Sequence, residues 1–459
     1  MKKFIPALAI ASLTLGCAAT QEPSQAPKTS TKVNNVIMIV ADGMGPAFTS
    51  AYRYYADDPI TINVEQTVFD RHLVGMSSTY PDHVSGRVTD SAAGATALAT
   101  GEKTYNGAIS VDGEKKHIET VLQRAKKHGK KTGVVVTSQV NHATPAAYIT
   151  HNESRRNYNE IADSYIDNDI QFDVLLGGGW QYFIREDRNL VTEFKNAGFE
   201  YIDSFQQLTQ TNTDNKLLGL FADVGLPPAI DNSGGKLLDM TKTALKHLEN
   251  PQGFFMLIEA SQVDWAAHSN DINSAMAEMH DLAKTLTFLE QYVAKHPDTQ
   301  VVLTADHSTG GLTLAAKGEY RWSPELLRKM KSSTYAAAEK LLTMEVNQAN
   351  IAELLANTEI SKDDVAALAK AKQNAERKLK TYEALSTEQQ KEQRKPNVHF
   401  ALYKALNKII DNKTNTGWTT SGHTAIDVPV FAIGNQSDLL RGLQDNTDIA
   451  NTVFSLVEK

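Results

Sequence analysis

Only one cysteine, Cys17, stands in 459 residues, so the chain has no disulfide of its own. Core packing and bound ions must hold the fold together instead. A basic surplus is also missing: 54 acidic side chains face 46 basic ones, for a net charge of −8. That excludes the charge pattern with which proteins grip nucleic-acid backbones. The apolar run at the start, Phe4 to Leu15, is too short to span a bilayer as a stable helix. No internal repeat is present. Asp173-Val174-Leu175-Leu176-Gly177-Gly178-Gly179 reads as a strand and tight turn, without the glycine spacing of a dinucleotide-binding loop. The length leaves room for one large α/β domain with insertions, or for two or three smaller domains.

The first 16 residues read as a targeting segment, with Lys2 and Lys3 ahead of the short apolar core. Leu13-Thr14-Leu15-Gly16-Cys17 resembles a bacterial lipoprotein signal, in which the cysteine becomes the lipidated first residue. The lack of any other cysteine favours that reading over ordinary cleavage after Ala19. Both imply export, to the periplasm or to an outer-membrane anchor. Residues 17–32 read as a flexible tether and 33–459 as the folded catalytic part. Within it, 317–397 reads as a helical insertion rich in Ala, Lys, Glu, Gln and Leu. Ser323-Pro324-Glu325 predicts a helix start, with Ser323 as cap and Pro324 in the first helical position. Ser361 with Asp364 predicts a second start. Behind it Val365, Leu368, Ala375, Leu379 and Tyr382 share one face, interrupted by Lys372. A lid, a subunit contact and a solvated decoration all suit such a segment.

The informative pattern lies elsewhere. Short apolar runs of the kind that form buried parallel strands adjoin residues able to bind metal or phosphate. Val36 to Ala41 leads to Asp42, and Phe254 to Ile258 leads to Glu259, with Asp264 and His268 beyond. Val301 to Ala305 leads to Asp306 and His307; Val134 to Thr137 leads to His142, Thr144 and Arg155. His423 lies just before the run Val428 to Ile433. Open α/β sheets carry their sites at the carboxyl ends of the strands. Asp264 and His268 are one helical turn apart, so both can reach one ion. Imidazole with carboxylate suits tetrahedral zinc, whereas Glu259, Thr144 and Asp42 offer only oxygens and suit an octahedral ion such as magnesium.

Ser91 is the candidate nucleophile. Its hydroxyl is inert near neutral pH unless its proton is taken or its alkoxide stabilised. A bound zinc would do the latter. Ser91 opens an expected helix through Leu98, whose N-terminus favours negative charge. Two alternatives stand beside this: Ser91 as a mere helix cap, and His83, eight residues earlier, as its base.

Taken together, these segments resemble the alkaline phosphatase family. The resemblance rests on Asp42-Gly43-Met44-Gly45, Thr89-Asp90-Ser91-Ala92-Ala93-Gly94-Ala95-Thr96-Ala97 and Thr100-Gly101-Glu102-Lys103-Thr104-Tyr105-Asn106-Gly107. It rests equally on His142-Ala143-Thr144-Pro145, Ser154-Arg155, Thr304-Ala305-Asp306-His307 and Gly422-His423-Thr424. It implies a three-layer α/β sandwich around a mostly parallel sheet, two zinc ions and one magnesium per chain, and a homodimer. By the same resemblance, Asp264, His268 and His423 hold the first zinc. Asp42, Asp306 and His307 hold the second, beside Ser91, and Asp42, Thr144 and Glu259 hold magnesium. Arg155 is the phosphate clamp, favoured over Arg156 by its spacing from Thr144. Asp90, His142 and Trp265 tune the site. The implied reaction is hydrolysis of phosphate monoesters through a phosphoserine, with broad specificity and an alkaline optimum. Rivals on the same scaffold are a phosphodiesterase, a cofactor-independent phosphoglycerate mutase and a sulfatase. The last normally needs a Cys/Ser-x-Pro-x-Arg setting, which Ser91 lacks. A non-enzymatic phosphate or zinc binder is a rival of another class, but it would need no nucleophile.

Overall fold

The computed structural model describes Met1 and residues 32–458. The rest of the targeting segment, Cys17 and nearly all of the tether lie outside the described residues. The strands in chain order are β1 (Asn35–Val40), β2 (Leu73–Ser78), β3 (Lys131–Gln139), β4 (Val174–Gly178), β5 (Phe199–Ile202), β6 (Lys216–Leu220) and β7 (Phe254–Glu259). After them come β8 (Thr299–Thr304), β9 (Ser308–Thr309), β10 (Leu312–Leu314), β11 (Thr416–Trp418), β12 (His423–Thr424), β13 (Val428–Ile433) and β14 (Gly442–Asp445). Ten of them form one sheet in the order β14-β2-β13-β8-β1-β7-β3-β4-β6-β5.

The apolar runs are continuous because both faces of this sheet are buried. In β1, Ile37 and Ile39 enter one core with Phe48, Met240 and Met276 from covering helices. Val36, Met38 and Val40 enter the other, with Leu98, Val121 and Val453. Alternation along the strand thus serves two helical layers, giving the expected three-layer sandwich.

All pairings in the sheet are parallel except those of β13, which runs antiparallel to both β8 and β2. The reading of Val428 to Ile433 as a parallel strand is corrected here. The reversal explains why His423 precedes its strand while Asp42, Glu259 and Asp306 follow or end theirs. An antiparallel strand begins at the edge where its parallel neighbours finish. Register completes the alignment: Val40 faces Glu259 on one side and Thr304 on the other, and Val136 faces Glu259. The ladder of β12 on β9, with His423 opposite Thr309, then pins His423 beside the strand end that carries His307.

Helices dominate the segment after β10. Leu327, Ala337, Leu341, Ile351 and Leu368 join the first core. Ser361 and Asp364 form a reciprocal capping box for the helix Lys362–Glu383. Lys372, the polar interruption, donates from Nζ to the carbonyls of Leu341 and Leu342, satisfying the end of the helix Thr334–Thr343. The other expected start is displaced: Pro324 is the N-cap of Glu325–Lys329, without a side-chain cap. Ser323 instead accepts a hydrogen bond from Arg321. Among the described residues no helix is long and apolar enough to cross a membrane.

Candidate active site

Three clusters of ligand atoms lie at the carboxyl edge of the sheet. They are Asp264 with His268 and His423, Asp42 with Asp306 and His307, and Asp42 with His142 and Glu259. Within each, one donor atom per residue lies within 4.8 Å of the others. The first two match the ligand sets expected from sequence. The third holds the two carboxylates of the expected magnesium set, and His142 joins them. Thr144, the third expected oxygen, is buried in the adjoining helix Ala143–Ile149.

Two close approaches of the backbone make this convergence possible. Gly43, with φ of 76°, lies so near Asp264 that a Cβ would sit 2.7 Å from its Cα. Gly94, in the helix Ser91–Thr100, lets that helix press on Asp306, whose carbonyl oxygen would be 2.9 Å from a Cβ there. Ser91 is thereby brought to the metal-ligand edge, with its Oγ 3.2 Å from His307 Nε2. The cap of this helix is Asp90, whose Oδ1 accepts from Ala93 N at 3.0 Å, so Ser91 sits one residue inside as the first helical position. His83 is elsewhere: its side chain is 82% exposed and pairs with Asp82.

Hydrogen bonding fixes the imidazoles. His268 Nδ1 donates to Ser421 O at 2.6 Å and His423 Nδ1 to Thr89 O at 2.8 Å, because a carbonyl can only accept. In the neutral rings both Nε2 lone pairs are then turned toward each other, 3.1 Å apart. Two such lone pairs repel unless a cation takes both, and backbone-anchored Nδ1 is how metal-binding histidines are oriented. His307 stacks on His423 with ring centres 3.5 Å apart. Its Nε2 is 3.4 Å from Asp42 Oδ1 and 3.3 Å from Asp306 Oδ2.

Charge balance points the same way. Both Asp42 carboxylate oxygens, Asp306 Oδ2, Glu259 Oε1 and Thr144 Oγ1 are buried without a hydrogen-bond partner. Orphaned buried oxygens are expensive to keep, and divalent cations satisfy them. Burial, then repulsion from neighbouring carboxylates, pushes the Asp42 and Asp306 carboxyls well up. Burial raises Glu259 to about 7, against hydrogen bonds from Ser261 and Ser138. Asp264 is the exception. Burial opposes its charge, yet His268, 3.2 Å away, holds it below the usual carboxylate range. Burial pushes His142 down to about 3, with Arg155 adding to the effect. It also pushes His307 down. His142 and His307 are thus neutral and available as ligands, whereas Asp264 beside it pulls His268 upward. The donor set fits two nitrogen-and-oxygen sites and one oxygen-rich site.

Arg155 Nη1 is 3.1 Å from Asp90 Oδ2 and its Nη2 3.2 Å from His142 Nε2. Arg156 is exposed. The half-buried Trp265 ring meets the His142 ring edge-on at 5.9 Å, and it is backed by Gly225, where a Cβ would lie 2.3 Å from it. Every site residue expected from sequence, His83 aside, therefore converges on this edge.

Three supporting hydroxyls were not foreseen. Thr309 Oγ1 donates to Asp264 Oδ1 at 2.6 Å and lies 3.2 Å from His307 Nδ1, joining the first two clusters. Ser138 and Ser261 donate to Glu259 Oε2 at 3.1 and 2.6 Å. Their only sequence signal is closeness to a ligand, which many serines and threonines share.

Comparisons with known proteins bear on the family of the chain. The family model described as alkaline phosphatase matches residues 33–459. Alkaline phosphatase 3 of Bacillus subtilis is 41% identical, over 100% of this chain and 97% of its own length. Alkaline phosphatase 4 of the same organism is 42% identical, over 99% and 97%. The crystal structure of a cold-active alkaline phosphatase from a psychrophilic Shewanella species is 47% identical, with a TM-score of 0.83. That match covers 93% of this chain and 100% of the other.

Proposed function

We propose how the site works from one premise: the chain belongs to the alkaline phosphatase family and hydrolyses phosphate monoesters to alcohol and inorganic phosphate. The observation that carries the mechanism is the place of Ser91 Oγ, at a helix N-terminus beside His307 and the buried carboxylates. Asp264, His268 and His423 would hold one zinc, and Asp42, Asp306 and His307 a second. Asp42, Thr144 and Glu259 would hold a magnesium, with His142 within reach. When bound, these ions supply Lewis acidity that lowers the pKa of the Ser91 hydroxyl and of a hydrolytic water and offsets charge on the leaving oxygen.

Ser91 Oγ bonds to phosphorus in line as the ester P–O bond breaks on the opposite side. The alcohol takes up a proton and leaves a phosphoserine. A water oxygen then bonds to phosphorus, Ser91 Oγ is released and recovers a proton, and phosphate departs. Through both steps Arg155 grips two phosphoryl oxygens, a planar fork on a matching anion. Asp90 and His142 orient the fork. The helix N-terminus behind Ser91 favours the developing negative charge. Because serine and water both act deprotonated, the working range is alkaline. Specificity is broad because the charged contacts converge on the phosphoryl group and leave the alcohol unread.

Residues 33–459 act as the catalytic part, with 317–397 as its helical insertion. Export by the N-terminal segment, a lipid on Cys17 and a homodimer complete the reading. Membrane partition lost in Cys17→Ser and the mass in sedimentation test the last two. The mechanism is tested by acid-quenching the zinc- and magnesium-loaded enzyme with a phosphate monoester and mapping the labelled peptide. Phosphate belongs on Ser91. Ser91→Ala should lose it, with turnover down by several orders of magnitude and zinc retained. Phosphate on another residue, or near-native turnover in Ser91→Ala, refutes the mechanism. Monoester turnover far above diester turnover excludes the phosphodiesterase.

A further inference from the structure

The ion pair of Arg155 with Asp90 is partly open to solvent, with 19% and 24% of the two side chains exposed. A pair so placed contributes little by itself. Its power to orient the fork, with His142 Nε2 on the other Nη, depends on how Asp90 and the Arg155 backbone are themselves held. Both partners of the pair hang from one dipeptide, Asn106-Gly107. Gly107 O accepts from Arg155 N at 2.7 Å, and Gly107 N donates to Asp90 Oδ1 at 3.1 Å. The Asn106 side chain holds the other segment. Its Oδ1 accepts from Asp90 N at 3.0 Å, and its Nδ2 donates to Val88 O at 3.0 Å. Asn106 N in turn donates to Ser85 Oγ at 2.8 Å.

Both ends of this exposed amide are spent on one neighbouring backbone, at Asp90 N and Val88 O. The residue so held, Asp90, is also the N-cap of the nucleophile helix. The Asn106 amide thus ties the start of that helix to the loop that anchors Arg155, beside the Asp90 carboxylate that accepts from Gly107 N.

We propose that Asn106 is a positioning residue for phosphate capture. It sets the spacing between Ser91 and the Arg155 fork through Asp90, without touching substrate. The proposal rests on the reading of Arg155 as the phosphate clamp.

The test compares Asn106→Ala in the wild-type and Arg155→Ala backgrounds on the metal-loaded enzyme. KM and kcat for a phosphate monoester, inhibition by inorganic phosphate and zinc content are measured. In the wild-type background, KM and the phosphate inhibition constant should rise together, about three- to thirtyfold for two lost hydrogen bonds. kcat should fall by less and zinc should stay. With Arg155 already gone, the same substitution should change either constant by less than about twofold, because coupled residues are not additive. Asn106→Asp keeps the acceptor for Asp90 N and loses the donor to Val88 O, so it should fall between. It carries the comparison if the alanine variant does not fold. Equal losses in both backgrounds mean a general structural role and overturn the proposal, as does unchanged phosphate inhibition in Asn106→Ala. If Arg155→Ala alone leaves phosphate inhibition unchanged, the clamp reading fails first, and this proposal falls with it.

Discussion

On the proposed zinc sites, Gly43→Ala should strip one zinc and lower the specificity constant about a hundredfold, and the structure supplies its own control. Gly43 and Gly129 share a φ of 76°. An alanine at either position meets the same left-handed strain, about 1–2 kcal/mol, partly offset by a less flexible unfolded chain. At Gly129 nothing lies within 4 Å of the added Cβ. At Gly43 the added atom would be 2.7 Å from Asp264 Cα and 2.8 Å from its Cβ. Ordinary carbon contacts begin near 3.5 Å, so the two segments must part by about 0.8 Å. Neither is free to rearrange: Asp42 and Gly43 follow β1 in the centre of the sheet, and Asp264 lies in the helix Gln262–His268, one turn from His268. A shift of that size exceeds the roughly 0.2 Å tolerance of metal–ligand distances. Misplacement by about 1 Å also lowers rates on the order of a hundredfold. Gly129→Ala should keep full zinc and activity, with a small fall in thermal midpoint. Zinc per chain by elemental analysis and kcat/KM on both variants decide the matter. Gly43→Ala with full zinc and activity within threefold of Gly129→Ala would falsify the claim that this contact sets the metal edge.

Two further outcomes follow from other parts of the molecule. Arg155→Ala should lower kcat/KM about ten- to a thousandfold, given roughly 1.5–3 kcal/mol per hydrogen bond to a charged group, and should weaken phosphate inhibition with zinc intact. Arg156→Ala should do much less, and the reverse order would show that the clamp is misassigned. Glu278 lies buried beneath the segment around Ala229, whose N–H it accepts at 2.7 Å, and burial pushes its carboxyl up to about 8. Its unfolded value is about 4.3, so its share of stability is complete below that pH and is lost as pH rises to about 8, by up to about 1.4 kcal/mol per unit. Glu278→Gln keeps an acceptor for Ala229 N and cannot ionise. Its thermal midpoint relative to wild type should climb between pH 5 and 8 and level off above. A flat difference across that range would show that Glu278 is not held neutral.

The sequence alone determined the elements and their chemistry. The apolar runs read as buried strands, and the residues beside them marked the sheet edge where ligands gather. The i, i+4 spacing of Asp264 and His268 already placed two donors on one helical turn, and imidazole with carboxylate already suited a metal ion. These signals are local, because alternation, spacing and ligand type are properties of a few adjacent residues. The tertiary structure alone decided which distant segments meet. His423 lies 155 residues from His268, and its approach depends on β13 running against its neighbours and on the β12–β9 ladder. No pattern within Val428 to Ile433 distinguishes an antiparallel buried strand from a parallel one. The roles of Thr309, Ser138 and Ser261 were illegible, and Asn106 stood in a quoted motif without a role, because a hydroxyl or amide gains its role only from the partner that folding brings to hydrogen-bond distance. Ser323 shows the converse: a local cap signal the fold does not use, with the hydroxyl accepting from Arg321 instead. Hydrogen bonds of this kind act over one atomic contact, so residues far apart in the chain join only after the sheet has set their separation.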